Sequence, residues 1–164
     1  MKRFLVCAAF AALLFPVSTE AQELSPRFGA GTHILVSTID GVGLGAMARV
    51  SIPVNADFSL AIGSGFTGFV LGGTEDATWL FTPQISGIVT LPGRYRAPYF
   101  TVGAGGYFPL GEPGRERSGP TIHFGVGRVT LLAESTLFYE VDPMLVLSGD
   151  RIDLAVPIRV GLIF

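Results

Sequence analysis

Cysteine is almost absent from this sequence. The single cysteine, Cys7, lies in an apolar stretch near the start of the chain. If the protein is exported, a chain of this size without disulfides must be held together by its own packing or by a membrane.

Positive charge is also scarce. After residue 21 the chain has no lysine, and its nine arginines stand against twelve aspartates and glutamates, which gives a formal net charge of −3. A general nucleic-acid-binding protein needs a basic patch. The composition therefore excludes that class.

Long apolar runs are missing from the same part of the chain. None reaches the eighteen or so residues of a membrane helix, although mean hydropathy is +0.54 and only 15% of residues are charged. A soluble domain of this length needs more polar surface. Strands that alternate between a lipid-facing and an inward-facing side resolve this conflict.

The first residues have the order of a secretory signal peptide. Lys2 and Arg3 precede an unbroken apolar run at residues 4–15, and Ala21 ends a short segment with small residues at the positions that a signal peptidase reads. The apolar run is too short to span a bilayer. We predict cleavage after Ala21, which leaves one domain at residues 22–164.

Alternation at period two recurs along that domain. In residues 152–164 every second residue is apolar, from Ile152 to Phe164, and small or polar residues such as Asp153 and Arg159 lie between them. Similar segments occur at 27–38, 42–54, 58–70, 78–91, 97–110, 121–126 and 129–141. The eight segments predict an all-β fold, an antiparallel eight-stranded transmembrane up-and-down β-barrel.

The connections alternate in length. Those at 39–41, 71–77, 111–120 and 142–150 are mostly longer than those at 55–57, 92–96 and 127–128, which is typical of long external loops and short periplasmic turns. The apolar residues 144–147 fall in an external connection. Either the flanking strands extend and these residues pack together, or they form a contact patch for a partner or for lipid headgroups.

The last residues resemble the C-terminal assembly signal of outer-membrane proteins, which ends in an aromatic residue after alternating apolar residues. The candidate residues are Ile158, Val160, Gly161, Leu162 and Phe164. The whole domain resembles the small eight-stranded outer-membrane barrels of Gram-negative bacteria, including surface-antigen and opacity-type proteins. This resemblance implies location in the cell outer membrane, contact with its lipids, and insertion by the outer-membrane assembly machinery. We expect a monomer.

Motifs for chemistry are weak. Residues 63–68 have the glycine spacing of a dinucleotide-binding loop, but no helix pattern follows. His33 and His123 should face inward without the further ligands that a metal needs. A lipid A deacylase would require a serine two residues after the histidine, and Gly125 stands there after His123. The sequence therefore predicts no enzyme and no cofactor.

The inward face should carry charges of both signs. The predicted lumen charge cluster consists of Arg49, Glu134, Glu140, Asp153 and Arg159. Buried charges are costly unless they are paired, so these groups should form an internal plug. We expect a structural or surface-interaction role. The alternatives are a narrow channel for ions or small apolar solutes, a lipid A-modifying enzyme, and a soluble periplasmic barrel that binds an apolar ligand.

Overall fold

The computed structural model describes residues 25–72, 79–93, 95–111, 118–149 and 151–164. The predicted signal peptide, residues 1–21, lies outside the described residues. The strands are β1 (Arg27–Ser37), β2 (Gly41–Pro53), β3 (Phe58–Gly72), β4 (Trp79–Thr90), β5 (Arg96–Leu110), β6 (Gly119–Leu131), β7 (Thr136–Val141), β8 (Met144–Ser148) and β9 (Arg151–Ile163). Within these ranges, no helix is long and apolar enough to cross a membrane.

The nine strands form a closed barrel with eight strand positions around its wall, and we call each position a stave. Each strand from β1 to β6 pairs antiparallel with the next, and β9 pairs with β1. Strands β7 and β8 both pair with β6 on one side and with β9 on the other, in an unchanged register. They are therefore two halves of one stave, separated by Asp142 and Pro143. The expected eight-stranded antiparallel barrel is confirmed.

Alternation along each strand separates two faces. On β9, Ile152, Ile158 and Val160 are exposed on the outside, at 69%, 50% and 40%, whereas Ala155 and Arg159 face inward and are buried. The same alternation holds on β1 and β2. Period two in the sequence thus gives one apolar surface around the barrel and one mixed lumen.

Two boundaries differ from the sequence prediction. The turn expected at 127–128 lies at residues 132–135, and the external connection expected at 142–150 contains β8. Gly127 does not turn the chain. Instead, a Cβ at this position would meet the ring of Tyr99 at 2.2 Å, so the glycine makes room for that side chain.

The second boundary decides between the two explanations of residues 144–147. Met144 and Val146 are buried in the lumen, and Leu145 is exposed on the outer face. These residues continue the stave, as expected if the flanking strands extend. Met144 and Val146 are therefore not part of an exposed contact patch for a partner or for lipid headgroups.

The lumen has two different ends. The loop end holds the connections β1–β2, β3–β4, β5–β6 and β8–β9, and the turn end holds the connections β2–β3, β4–β5 and β6–β7. Toward the loop end lies the loop-end cluster: Leu35, Ile39, Leu80, Tyr107, Met144, Val146 and Ala155. Toward the turn end a second apolar cluster contains Ala61, Ile88 and Tyr99.

The β1–β2 turn folds into the barrel instead of projecting from it. Ile39 and Asp40 are 0% and 1% exposed. The Tyr107 hydroxyl donates to Asp40 and accepts from Ser37, whose oxygen in turn accepts from the Ile39 amide at 3.2 Å. The turn thereby covers the lumen at the loop end.

Candidate functional site in the lumen

A connected set of polar side chains crosses the lumen between the loop-end cluster and the second apolar cluster, and Tyr99 belongs to both the set and the second cluster. We call this set the polar layer, and it consists of Arg49, Gln84, Ser86, Tyr99, His123, Glu140, Asp142 and Arg159. Its side chains come from β2, β4, β5, β6, β7, the β7–β8 break and β9. The alternation of each strand aims them inward.

Glu140 is the centre of the layer. Its Oε2 accepts from Arg49 Nη1 at 2.8 Å and from the Tyr99 hydroxyl at 2.7 Å. Its Oε1 accepts from Arg159 Nη1 at 2.5 Å. The Glu140 side chain is fully buried, so these charge-assisted hydrogen bonds replace the water that it loses.

Arg159 connects the first carboxylate to a second. Nη1 also donates to Asp142 Oδ2 at 2.7 Å, and Nη2 donates to Gln84 Oε1 at 2.8 Å. The two arginines and the two carboxylates balance in formal charge. These side chains occupy part of the narrow interior that an eight-stranded barrel encloses.

His123 continues the network across β6 and β4. Its Nδ1 lies 2.8 Å from Asp142 Oδ1, and its Nε2 lies 3.2 Å from Ser86 Oγ. In the tautomer with the proton on Nδ1, His123 donates to the carboxylate and accepts from the serine. This is the relation between the members of a Ser-His-Asp triad.

The triad arrangement is enclosed. Ser86, His123 and Asp142 are 5%, 2% and 0% exposed. Space beside them is also filled, because a Cβ on Gly103 would meet His123 Nε2 at 2.5 Å. The glycines here make room for the polar layer itself.

The structure brings together three of the five residues predicted for the lumen charge cluster: Arg49, Glu140 and Arg159. The prediction that Glu134 belongs to the lumen charge cluster is wrong. Glu134 lies in the exposed turn between β6 and β7, because that turn comes later in the chain than the sequence indicated.

The prediction that Asp153 belongs to the same cluster is also wrong. Asp153 lies on β9 beside Val146, six residues before Arg159, so the extended strand separates the two by about 20 Å. Asp153 therefore belongs to the loop end of the lumen, not to the polar layer.

Five members of the polar layer were not in the predicted cluster: Gln84, Ser86, Tyr99, His123 and Asp142. The first four stood on the predicted inward face, but nothing in the sequence gave their partners. Asp142 follows Glu140 by two residues and would have shared its face if the strand had been continued past Pro143. The sequence signal that would have revealed Asp142 is therefore the continuation of one strand through Pro143.

The residues of the predicted assembly signal lie on β9 and at its end. Ile158 and Val160 point outward, and Gly161 faces the lumen beneath the Phe138 ring. Phe164 is 67% exposed, and its main chain exchanges two hydrogen bonds with Phe28, at 2.8 and 3.3 Å.

Residues 63–68 run within β3, so their glycines belong to a strand and not to a phosphate-binding loop. His33 and His123 both face the lumen, as expected. Among the residues that the structure describes, no group of three or more His, Cys, Asp or Glu side chains is placed to hold a metal ion.

Comparison with known proteins gives the fold. No protein-family model and no curated protein matches the sequence. Among solved structures, the chain is similar to Neisserial surface protein A, with a TM-score of 0.71 and 10% identity over 84% of this chain and 95% of the other.

Two further structures agree. The N-terminal β-barrel domain of Pseudomonas aeruginosa OprF matches with a TM-score of 0.57 and 13% identity, over 84% of this chain and 97% of that domain. The attachment invasion locus protein Ail of Yersinia pestis matches with a TM-score of 0.52 and 15% identity, over 85% and 97%. The chain thus has the fold of the small eight-stranded outer-membrane β-barrels, and the predicted fold class is confirmed.

Proposed function

We propose that the protein is a monomeric outer-membrane β-barrel with a structural or surface-interaction role and a lumen closed by the polar layer. The observation that carries this proposal is the contrast between its two faces. Large apolar side chains surround the outside, while ion pairs and hydrogen bonds connect the inside. Such an outer surface is suited to lipid and costly in water.

Aromatic contacts on the outer face support the same assignment. Phe66 stacks on Trp79 with ring centroids 5.2 Å apart, and Phe100 stacks on Phe124 at 6.3 Å. All four side chains are exposed, at 46%, 47%, 41% and 58%. In a bilayer these rings lie against lipid instead of water.

Export and insertion complete the proposal. Residues 1–21 would be removed as a signal peptide, and residues 22–164 would enter the outer membrane through its assembly machinery. Ile158, Val160, Gly161, Leu162 and Phe164 would be the residues that the machinery reads. Their support is the place of β9, which closes the barrel against β1.

The closed lumen favours this role over a channel. The loop-end cluster and the polar layer follow one another along the barrel axis, and each contains fully buried side chains. A channel would require both to rearrange. Surface interaction instead uses the loops and leaves the lumen unchanged.

Cell fractionation tests the proposal. The full-length protein is expected in the outer-membrane fraction, to be extracted only by detergent, and to migrate faster on a denaturing gel before heating than after it. Release by osmotic shock without detergent would overturn the proposal in favour of a soluble periplasmic barrel. Step conductance of the unmutated protein in a planar bilayer would favour the channel.

Ester hydrolysis is a second candidate function, supported only by the arrangement of Ser86, His123 and Asp142. It ranks second because all three side chains are enclosed. A fluorophosphonate probe that labels the wild type but not Ser86→Ala would support hydrolysis. Equal absence of labelling in both proteins, with both folded on the gel, would remove this candidate.

A further inference from the structure

A cavity of about 590 Å³ opens at the turn end of the lumen, and we call it the vestibule. Tyr99 and Arg49, two members of the polar layer, lie at its inner side, and Glu134 lies on its rim. The volume falls in the range of small-molecule sites. Most of the lumen is filled, so this end differs from the rest of the barrel.

Two arginines face the vestibule from one wall. Arg27 on β1 is paired with Ser51 on β2, and Gly29 is paired with Arg49. Arg27 and Arg49 are therefore diagonal neighbours on the inward face of adjacent strands, about 7–8 Å apart and somewhat less between their Cβ atoms. Side chains of this length can reach one shared group.

Arg49 is held in place before any ligand arrives. Nη1 donates to Glu140, and the guanidinium carbon lies 4.8 Å from the centroid of the Phe138 ring. The residue is 9% exposed, and the exposed part borders the vestibule. A fixed guanidinium loses little freedom when it binds an oxyanion.

Arg27 adds a positive charge to this wall that no described carboxylate pairs, whereas Arg49 is paired with Glu140. Across the described ranges of the chain, no carboxylate lies within ion-pair distance of Arg27. Glu134 makes no ion pair with either arginine there, and Glu140 is shared between Arg49 and Arg159. Two adjacent guanidinium groups of this kind match the geometry of a phosphate.

The remaining lining fits the body of a polar molecule. Ser51, Ser59 and Thr90 contribute hydroxyl groups from three consecutive strands, and Thr136 adds one from β7. Hydroxyl side chains both donate and accept, as the hydroxyls of a polyol do. Ile88 and Val129 provide apolar contact beside them.

We propose that the vestibule binds a small phosphorylated polyol, with its phosphate between Arg27 and Arg49 and its hydroxyls against the serine and threonine side chains. The ligand enters from the turn end, because the polar layer closes the other side. Under the proposed function this end faces the periplasm.

Ligand-observed NMR and calorimetry on the full-length barrel, folded in an uncharged polyoxyethylene detergent, test the site. The probe is glucose 6-phosphate, compared with glucose and with inorganic phosphate. The sugar phosphate is expected to bind more tightly than either comparator. Arg27→Gln is expected to weaken it about tenfold, as one lost charged hydrogen-bonding group implies.

Arg128→Gln is the matched control. Arg128 is an exposed arginine on β6, close to the same end but on the outer face, and its replacement should leave binding unchanged. Arg27 lies at the mouth of the barrel, so Arg27→Gln should fold normally and migrate as the wild type does on an unheated gel. The proposal is overturned if wild type and Arg27→Gln bind equally, if glucose binds as well as its phosphate, or if no binding occurs at millimolar concentration.

Discussion

Toward the loop end the lumen is filled, whereas toward the turn end it opens into the vestibule, although the same eight staves surround both. Barrel width is set by the number and stagger of the strands, so the wall does not cause the difference. The side chains and the β1–β2 turn do, because Ile39 and Asp40 fold inward at one end only. Side chains therefore fill one half of the lumen, and the other half contains the vestibule.

The largest expected effect comes from breaking the polar layer that divides the two halves. Arg159→Ala leaves Asp142 and Glu140 with fewer partners in a buried site and should cost about 3–5 kcal/mol of unfolding free energy. Urea titration monitored by the fluorescence of Trp79, the single tryptophan, measures it.

A double-mutant cycle isolates the ion pair. Arg159→Met combined with Glu140→Gln should cost less than the sum of the two single changes, because neither charge is then left without the other. Strict additivity would mean that the two side chains do not stabilise the barrel as a pair.

The next effect compares the packing of the two halves. Ile39→Ala removes a fully buried side chain from the loop-end cluster and should cost about 2–5 kcal/mol, because the cavity it leaves is enclosed. Ile163→Ala, at the edge of the vestibule, should cost clearly less since water already reaches it. Equal losses in the same titration would contradict the division into a filled and an open half.

A smaller effect is expected from the hydroxyl groups. Tyr107→Phe removes the hydrogen bonds to Asp40 and Ser37 and should cost about 1–3 kcal/mol. Tyr99→Phe removes one bond to Glu140, which keeps both arginines, and it borders the vestibule, where water can take over. Its cost should be the lower of the two, and the reverse order would argue against this account.

The smallest effect tests the position of Glu134. Glu134→Ala changes an exposed residue of the β6–β7 turn and should alter stability by no more than about 0.5 kcal/mol. A loss of several kcal/mol would restore Glu134 to the lumen cluster that the sequence suggested.

Sequence reasoning found the faces of the strands because lipid on one side and a narrow lumen on the other impose a strict period of two. It misplaces the β6–β7 turn because Gly127 follows an alternating segment and is typical of the end of a strand. Whether a glycine turns the chain or makes room for a ring depends on Tyr99, a residue 28 positions earlier. Such a contact is visible only once β5 and β6 are paired.

The polar layer shows the same limit. Arg49, Glu140 and Arg159 were found because charges of opposite sign on an inward face are rare enough to require partners. Asp142 and Ser86 were not found, since their roles depend on the register that brings β4, β6 and β7 together. The odd or even position of a residue along a strand determines whether its side chain faces inward or outward. Which residues it contacts on other strands depends on the register between the strands.

The break between β7 and β8 gives Asp142 a mechanical role in the barrel wall. Pro143 and Pro157 lack an amide hydrogen, so the antiparallel pairs Phe124–Pro143 and Asp142–Pro157 each have one main-chain hydrogen bond instead of two. The Phe124 amide donates to the Pro143 carbonyl, and the Asp142 amide donates to the Pro157 carbonyl, both at 3.1 Å. At this height Asp142 reaches His123 on the stave to one side and Arg159 on the stave to the other. The Asp142 carboxylate thus links the strands on both sides of it, at a point where each backbone pair lacks one hydrogen bond.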